Sequence, residues 1–143
     1  MKNKADIVHQ ETLIIPSSQS QLFKVEKLLT RISKKANLTE EKADNIAIVV
    51  TELVNNAIIH GNKNNPEKKV IVKVAYYTDR VEISVKDEGI GFDPTRLKDP
   101  TDPANIWREN GRGIFLVKNL TDRVEFYPTS CGMEIRIIEF YLE

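Results

Sequence analysis

The sequence predicts an α+β protein: a two-layer α/β sandwich with a mainly antiparallel sheet and helices on one face. Three observations carry this. Residues 18–36 and 39–61 have helical periodicity. Residues 69–77 and 80–86 are rich in β-branched residues and are separated only by Thr78-Asp79, a hairpin signal. Arg123–Tyr127 and Met133–Phe140 flank a turn at 128–132. Strands that follow one another through hairpins pair antiparallel, and the helices ahead of them cover one face.

Bulk properties narrow the class. The 143 residues suit one domain, taken as 1–143, with a real core. Lysine plus arginine and aspartate plus glutamate both number 21, so nothing draws the whole chain to nucleic acid or to an anionic membrane. A hydrophobic content of 41% is globular. The longest apolar run, Ile46 to Val50, is far too short to span a bilayer, and MKNKADIVHQE has no apolar secretory core. One cysteine, Cys131, permits no internal disulfide and no cysteine-based zinc site, and His9 and His60 do not form a zincin motif. The expectation is a cytoplasmic protein without a membrane or direct nucleic-acid partner.

In chain order, ETLII (11–15) reads as a short strand ended by Pro16. Ser17 or Ser18 can cap the helix over 18–36, whose inner face is Leu22, Val25, Leu28, Leu29 and Ile32. After Asn37, Thr39 caps the long helix over 39–61. Lys42 stands where a capping box would carry glutamate, Glu40 and Glu41 suit the helix dipole, and Gly61 is a natural stop. Ile46, Val50, Leu53 and Ala57 form its core stripe; Glu52, Asn56 and His60 step by four along the margin. Residues 62–69 are a polar loop. Val70, Val72 and Val74 share one face of the next strand, as do Val81, Ile83 and Val85 of its partner.

The texture then changes. Residues 87–113 hold four of the six glycines and three of the six prolines. A connection of this length in a compact domain is a functional lid or a linker. Residues 114–120 read as a short helix that starts at glycines.

Two glycine-bearing segments carry candidate chemistry. Asp87-x-Gly89-x-Gly91-Phe92 follows directly from a strand. Its glycines let backbone approach a ligand closely, and Asp87 can accept from an exocyclic amine such as that of adenine; the same residues also suit a plain turn. Gly111-Arg112-Gly113 precedes a helix, whose free N–H groups attract phosphate, with Arg112 or Arg108 adding a cation; the alternative is a flexible hinge. Neither is a Walker A loop or a dinucleotide fingerprint.

The combination, in this order, resembles the Bergerat-type ATP-binding domain shared by gyrase-like ATPases and histidine kinases, the GHKL superfamily. More closely, it resembles the stand-alone bacterial anti-sigma factor serine kinases. TELVNNAIIHGN resembles their N box, DEGIGFDP their first glycine box, and ENGRGIFLVKNLTDRVEF their second followed by its strand. The resemblance implies that Asn56 coordinates a magnesium ion (Mg2+) bridging the ATP phosphates and that Glu52 is the general base. It implies that Asp87 fixes adenine with support from Gly89, Gly91 and Phe92. A lid at about 93–113, with Arg108, Gly111, Arg112, Gly113 and Ile114, closes over the triphosphate in such proteins. Where the family often carries threonine, Met133 follows Gly132, which removes a hydroxyl from the expected adenine network. His60 and Cys131 read as ordinary residues of a helix end and a turn, and Trp107 as a partner contact or lid anchor.

Segment 17–36 has no phosphoacceptor histidine, and no gyrase-type transducer is expected. The resemblance therefore implies a kinase acting on a serine of a separate STAS-domain anti-anti-sigma protein, with a sigma factor as its other partner and a homodimer paired through the first strand and helix. The alternatives are a non-catalytic ATP-binding interaction module and a detached domain phosphorylating a histidine elsewhere.

Overall fold

The computed structural model describes residues 7–89 and 117–141. Five strands form one antiparallel sheet: β1 (Ile7–Pro16), β2 (Lys69–Tyr77), β3 (Arg80–Lys86), β4 (Arg123–Thr129) and β5 (Gly132–Phe140), in the spatial order β1-β2-β3-β5-β4. Helices α1 (Leu22–Lys35) and α2 (Glu40–Asn56) lie between β1 and β2 in the chain. The α+β architecture expected from the sequence is the one observed.

Register explains the core. Leu13, Val72, Val85, Ile135 and Phe126 stand opposite one another across all five strands, and Val74, Ile83, Ile137 and Val124 form a second row. Side chains alternate along each strand, so one face of the sheet is aliphatic. Val25, Leu28 and Ile32 of α1 and Ile46, Val49, Val50, Leu53 and Val54 of α2 are buried in the same cluster. The predicted stripes of both helices are therefore core stripes, with Leu22 and Leu29 packed at its margin.

Local chemistry sets the ends. Ser18 caps a 3-10 turn (Gln19–Gln21) that leads into α1, so the expected 18–36 helix is two pieces. Thr39 accepts the Lys42 amide at 3.1 Å and caps α2. The helix predicted over 39–61 is α-helical only to Asn56; Ala57–Gly61 form a π-helical turn, and the Asn62 amide bonds the Ala57 carbonyl five residues back at 2.8 Å. Such a turn takes more than four residues to complete, so His60 leaves the line shared by Glu52 and Asn56. Gly61 is not the residue that reverses the chain; Lys63 and Asn64, at φ 55° and 60°, are.

β1 begins at Ile7, four residues before the predicted start, because β2 pairs with it from Tyr77 back to Lys69. β4 runs on to Thr129. Residues 117–120 form a helical turn, and the remainder of the helix predicted over 114–120 lies outside the described residues. Among the described residues no helix is long and apolar enough to cross a membrane.

Candidate functional site

At the end of β3 the chain must leave the sheet beside the C-terminal end of α2. The aliphatic alternation of β3 stops at Asp87, which is 8% exposed. Its Oδ1 accepts the Gly89 amide at 3.0 Å and the Met133 amide at 3.2 Å, while its own amide donates to the Met133 carbonyl at 3.0 Å. Among the described residues no donor reaches Oδ2. Burial raises the carboxyl above the usual aspartate range; the Gly89 and Met133 amides and the Lys68 charge pull the other way.

Three glycines make room for this carboxylate. A Cβ on Gly61 would stand 2.2 Å from Asp87 Oδ2, and one on Gly89 would stand 1.9 Å from the Gly61 carbonyl oxygen. Gly132, at φ 147°, brings β5 against Asp87, where a Cβ would meet the Asp87 carbonyl oxygen at 2.2 Å. Only Gly89 is among the sequence-predicted residues. Gly61 looked like a helix stop and Gly132 like part of a turn; the signal for both would have been a strand-end aspartate needing a bare backbone beside it.

The other predicted pair sits one turn apart on α2. Asn56 Nδ2 donates to Glu52 Oε2 at 3.2 Å. Asn56 is 4% exposed, and Glu52 is half-buried. Because the amide hydrogen goes to Glu52, Asn56 Oδ1 is left as an acceptor that no described group uses. An oxygen of this kind suits a hard cation. Oδ2 of Asp87, a buried acceptor beside bare backbone, suits an N–H donor of a flat ligand.

Asn62 ties the two halves together and had no role in the sequence reading. Its Nδ2 donates to Ser17 Oγ at 2.7 Å and to the Lys69 carbonyl at 2.9 Å, and its Oδ1 accepts the Glu88 amide at 2.8 Å. Glu88 Oε1 in turn accepts the Lys69 amide at 2.7 Å. One buried carboxamide thus joins the ends of β1, α2, β2 and β3.

Met133 takes part through its backbone, which bonds Asp87 twice whatever its side chain, and the Met133 side chain is buried. Gly91, Phe92, Arg108, Gly111, Arg112, Gly113 and Ile114, with the expected lid and Trp107, lie outside the described residues. The structure therefore brings Glu52 and Asn56 together and sets Asp87 with Gly89.

Comparison with known proteins adds the following. A family model described as the histidine kinase-like ATPase domain matches residues 15–138. The chain is 28% identical over 122 residues to the serine-protein kinase RsbW of Listeria monocytogenes serotype 4a (strain HCC23), covering 81% of this chain and 78% of the relative. It is 29% identical over 133 residues to the serine-protein kinase RsbW of Staphylococcus epidermidis, covering 88% and 83%. Among solved structures, the RsbU and RsbW domains of Rv1364c from Mycobacterium tuberculosis superpose with a TM-score of 0.67 at 14% identity, over 92% of this chain and 32% of that one. The histidine kinase domain of the Erythrobacter litoralis blue-light-activated kinase EL346 gives 0.56 at 16% identity, over 87% and 61%. These two likenesses concern the fold.

Proposed function

Because the chain belongs to the histidine kinase-like ATPase family, we propose that it is an ATP-dependent protein serine kinase and anti-sigma factor. In this reading a serine of a STAS-domain anti-anti-sigma protein is the acceptor, and a sigma factor is held inactive by binding. The observation that carries the kinase reading is the Glu52–Asn56 pair at 3.2 Å. Nucleotide binding alone has no use for a carboxylate held beside the metal-facing carboxamide. The relatives named serine-protein kinase support the same reading.

Each residue then has a task. Asp87 offers Oδ2 to the adenine amine, and Gly61, Gly89 and Gly132 keep side chains out of that space. Asn56 turns its Oδ1 toward a magnesium ion and its Nδ2 toward Glu52, which fixes the carboxylate. Glu52 accepts the proton of the attacking serine hydroxyl. Bound Mg-ATP supplies the phosphoryl group and the cation that neutralises its charge. No group of three or more His, Cys, Asp or Glu able to hold a metal occurs among the described residues. Asn56 would be the residue that holds such an ion, which would neutralise phosphate charge. Arg108, Gly111, Arg112, Gly113 and Ile114 belong to the proposed lid at about 93–113, and Gly91 and Phe92 to the adenine side. The proposed unit is one cytoplasmic domain of residues 1–143 that pairs with a second copy.

The test combines the purified chain, Mg-ATP and a cognate STAS protein. Acid-stable phosphoserine is expected, lost in Glu52→Ala while calorimetry still records nucleotide binding. Phosphotransfer that survives this change removes Glu52 from the role of base; nucleotide binding without any transfer favours a non-catalytic module.

A further inference from the structure

A second polar centre lies at the other end of α2 and takes no part in the proposed reaction. Alternation along β5 puts Glu139 on the same face as Ile135 and Ile137, so its carboxylate enters the layer between sheet and helices. It is 2% exposed. Its Oε2 accepts the Asp122 amide at 2.6 Å, and Lys42 Nζ of α2 stands 4.0 Å from Oε1. Lys42 Nζ also donates to Asp122 Oδ2 at 2.9 Å and to the Phe140 carbonyl at 2.7 Å. Asp122 Oδ2 accepts the Phe140 amide at 2.9 Å. Among the described residues two carboxylates thus face the Lys42 ammonium, and the three residues come from three parts of the chain: the first turn of α2, the junction between the helical turn 117–120 and β4, and the end of β5.

Charge decides how such a cluster behaves. Burial pushes the Glu139 carboxyl up to about 7, and Asp122 adds to the rise; the Asp122 amide and Lys42 oppose it. Asp122 is held below the usual aspartate range by the Phe140 amide and by Lys42, against its own burial, so it stays ionised and keeps the lysine. Among the described residues Lys42 and Asp122 are the charged groups facing Glu139; its cross-strand neighbour, Val81, is apolar. Protonated, Glu139 still accepts the Asp122 amide and adds no second negative charge. Ionised, it is a buried anion that shares an ammonium already committed to Asp122.

We propose that Lys42, Asp122 and Glu139 form a proton-dependent clamp joining the first turn of α2 to the entry of β4, tight when Glu139 is protonated and looser when it is ionised. The clamp stands independently of the kinase reading.

Amide hydrogen exchange of the full chain, followed residue by residue by NMR and corrected for intrinsic rate, tests it without nucleotide. The Asp122 and Phe140 amides are expected to lose more than about tenfold in protection between about pH 5 and pH 8, because the open form releases the proton first. Asn64, whose amide bonds the Ile58 carbonyl at the far end of the helix, is the internal control and keeps its protection. Glu139→Gln flattens the profile at both clamp amides. A wild-type profile that is already flat, or one that survives Glu139→Gln, overturns the proposal. If that variant does not fold, titration of the Glu139 side-chain carboxyl carbon in the wild type decides: a midpoint near 7 supports the clamp, and one below about 5 overturns it.

Discussion

Met133 holds Asp87 by its backbone at both ends: its amide donates to Asp87 Oδ1 at 3.2 Å, and its carbonyl accepts the Asp87 amide at 3.0 Å. The aspartate is thereby fixed at Oδ1 whatever side chain stands at 133, and among the described residues no donor reaches Oδ2.

Asp87→Asn keeps an oxygen for the Gly89 and Met133 amides but places an NH2 where Oδ2 was. Nucleotide affinity measured by calorimetry should fall by at least about tenfold, since a donor then faces the adenine amine. Stability in urea should change by less than about 1 kcal/mol, because relief of a buried charge offsets the weaker hydrogen bonds that a neutral amide oxygen accepts. A variant that binds nucleotide normally would take Asp87 out of the site.

Gly61→Ala places a methyl 2.2 Å from Asp87 Oδ2, an atom whose side chain is pinned at Oδ1 by two amides. A loss of about 1–3 kcal/mol is expected. In an Asp87→Ala background the same change should cost at least about 1 kcal/mol less, a coupling read from a double-mutant cycle. Additive effects would mean that the two residues do not meet.

Asn62→Ala leaves the Glu88 amide and the Lys69 carbonyl without their side-chain partner in a buried place. The expected cost is about 2–3 kcal/mol by chemical denaturation. Asn62→Asp should be worse than Asn62→Ser, because a carboxylate would face the Lys69 carbonyl oxygen. The reverse order would contradict the donor role of Nδ2.

The raised Glu139 carboxyl also sets a pH dependence of global stability. Its folded value, about 7, lies above the ordinary glutamate value of 4.5, so the folded state binds the extra proton between them. Stability from this group is complete below about 4.5 and is lost as pH rises to about 7. Glu139→Gln should therefore gain about 1–2 kcal/mol over the wild type at about pH 8, after allowance for solvent screening, and lose that advantage near pH 5. An advantage of equal size at both pH values would point to packing alone.

Local pattern made much of the fold legible. The valines of β2 and the Val81–Ile83–Val85 set of β3 lie on the face that alternation assigns them, and the four-residue step from Glu52 to Asn56 became a hydrogen bond. What local pattern missed depends on distant chain. The first four residues of β1, Ile7 to Gln10, carry no clear alternation and are extended because β2 lies beside them. Gly61 and Gly132 matter because Asp87, 26 and 45 residues away in the numbering, needs bare backbone. Asn62 has no periodicity to betray it; three separate chain ends give it its partners. Glu139 was visible in principle, since the alternation through Ile135 and Ile137 points it inward.

The wide turn at Ala57–Gly61 fixes an angular phase. Upstream of it, the helix aims Glu52 and Asn56; downstream, the chain presents Gly61 to Asp87 and Asn62 to the strand ends. Removing any single residue from this stretch would rotate everything beyond it by about 100° about the helix axis. The halves proposed to face phosphate and base would then be individually intact but no longer aimed at the same molecule. In the proposed reading, chain length here, together with the bare backbone at Gly61, lets a single nucleotide touch both.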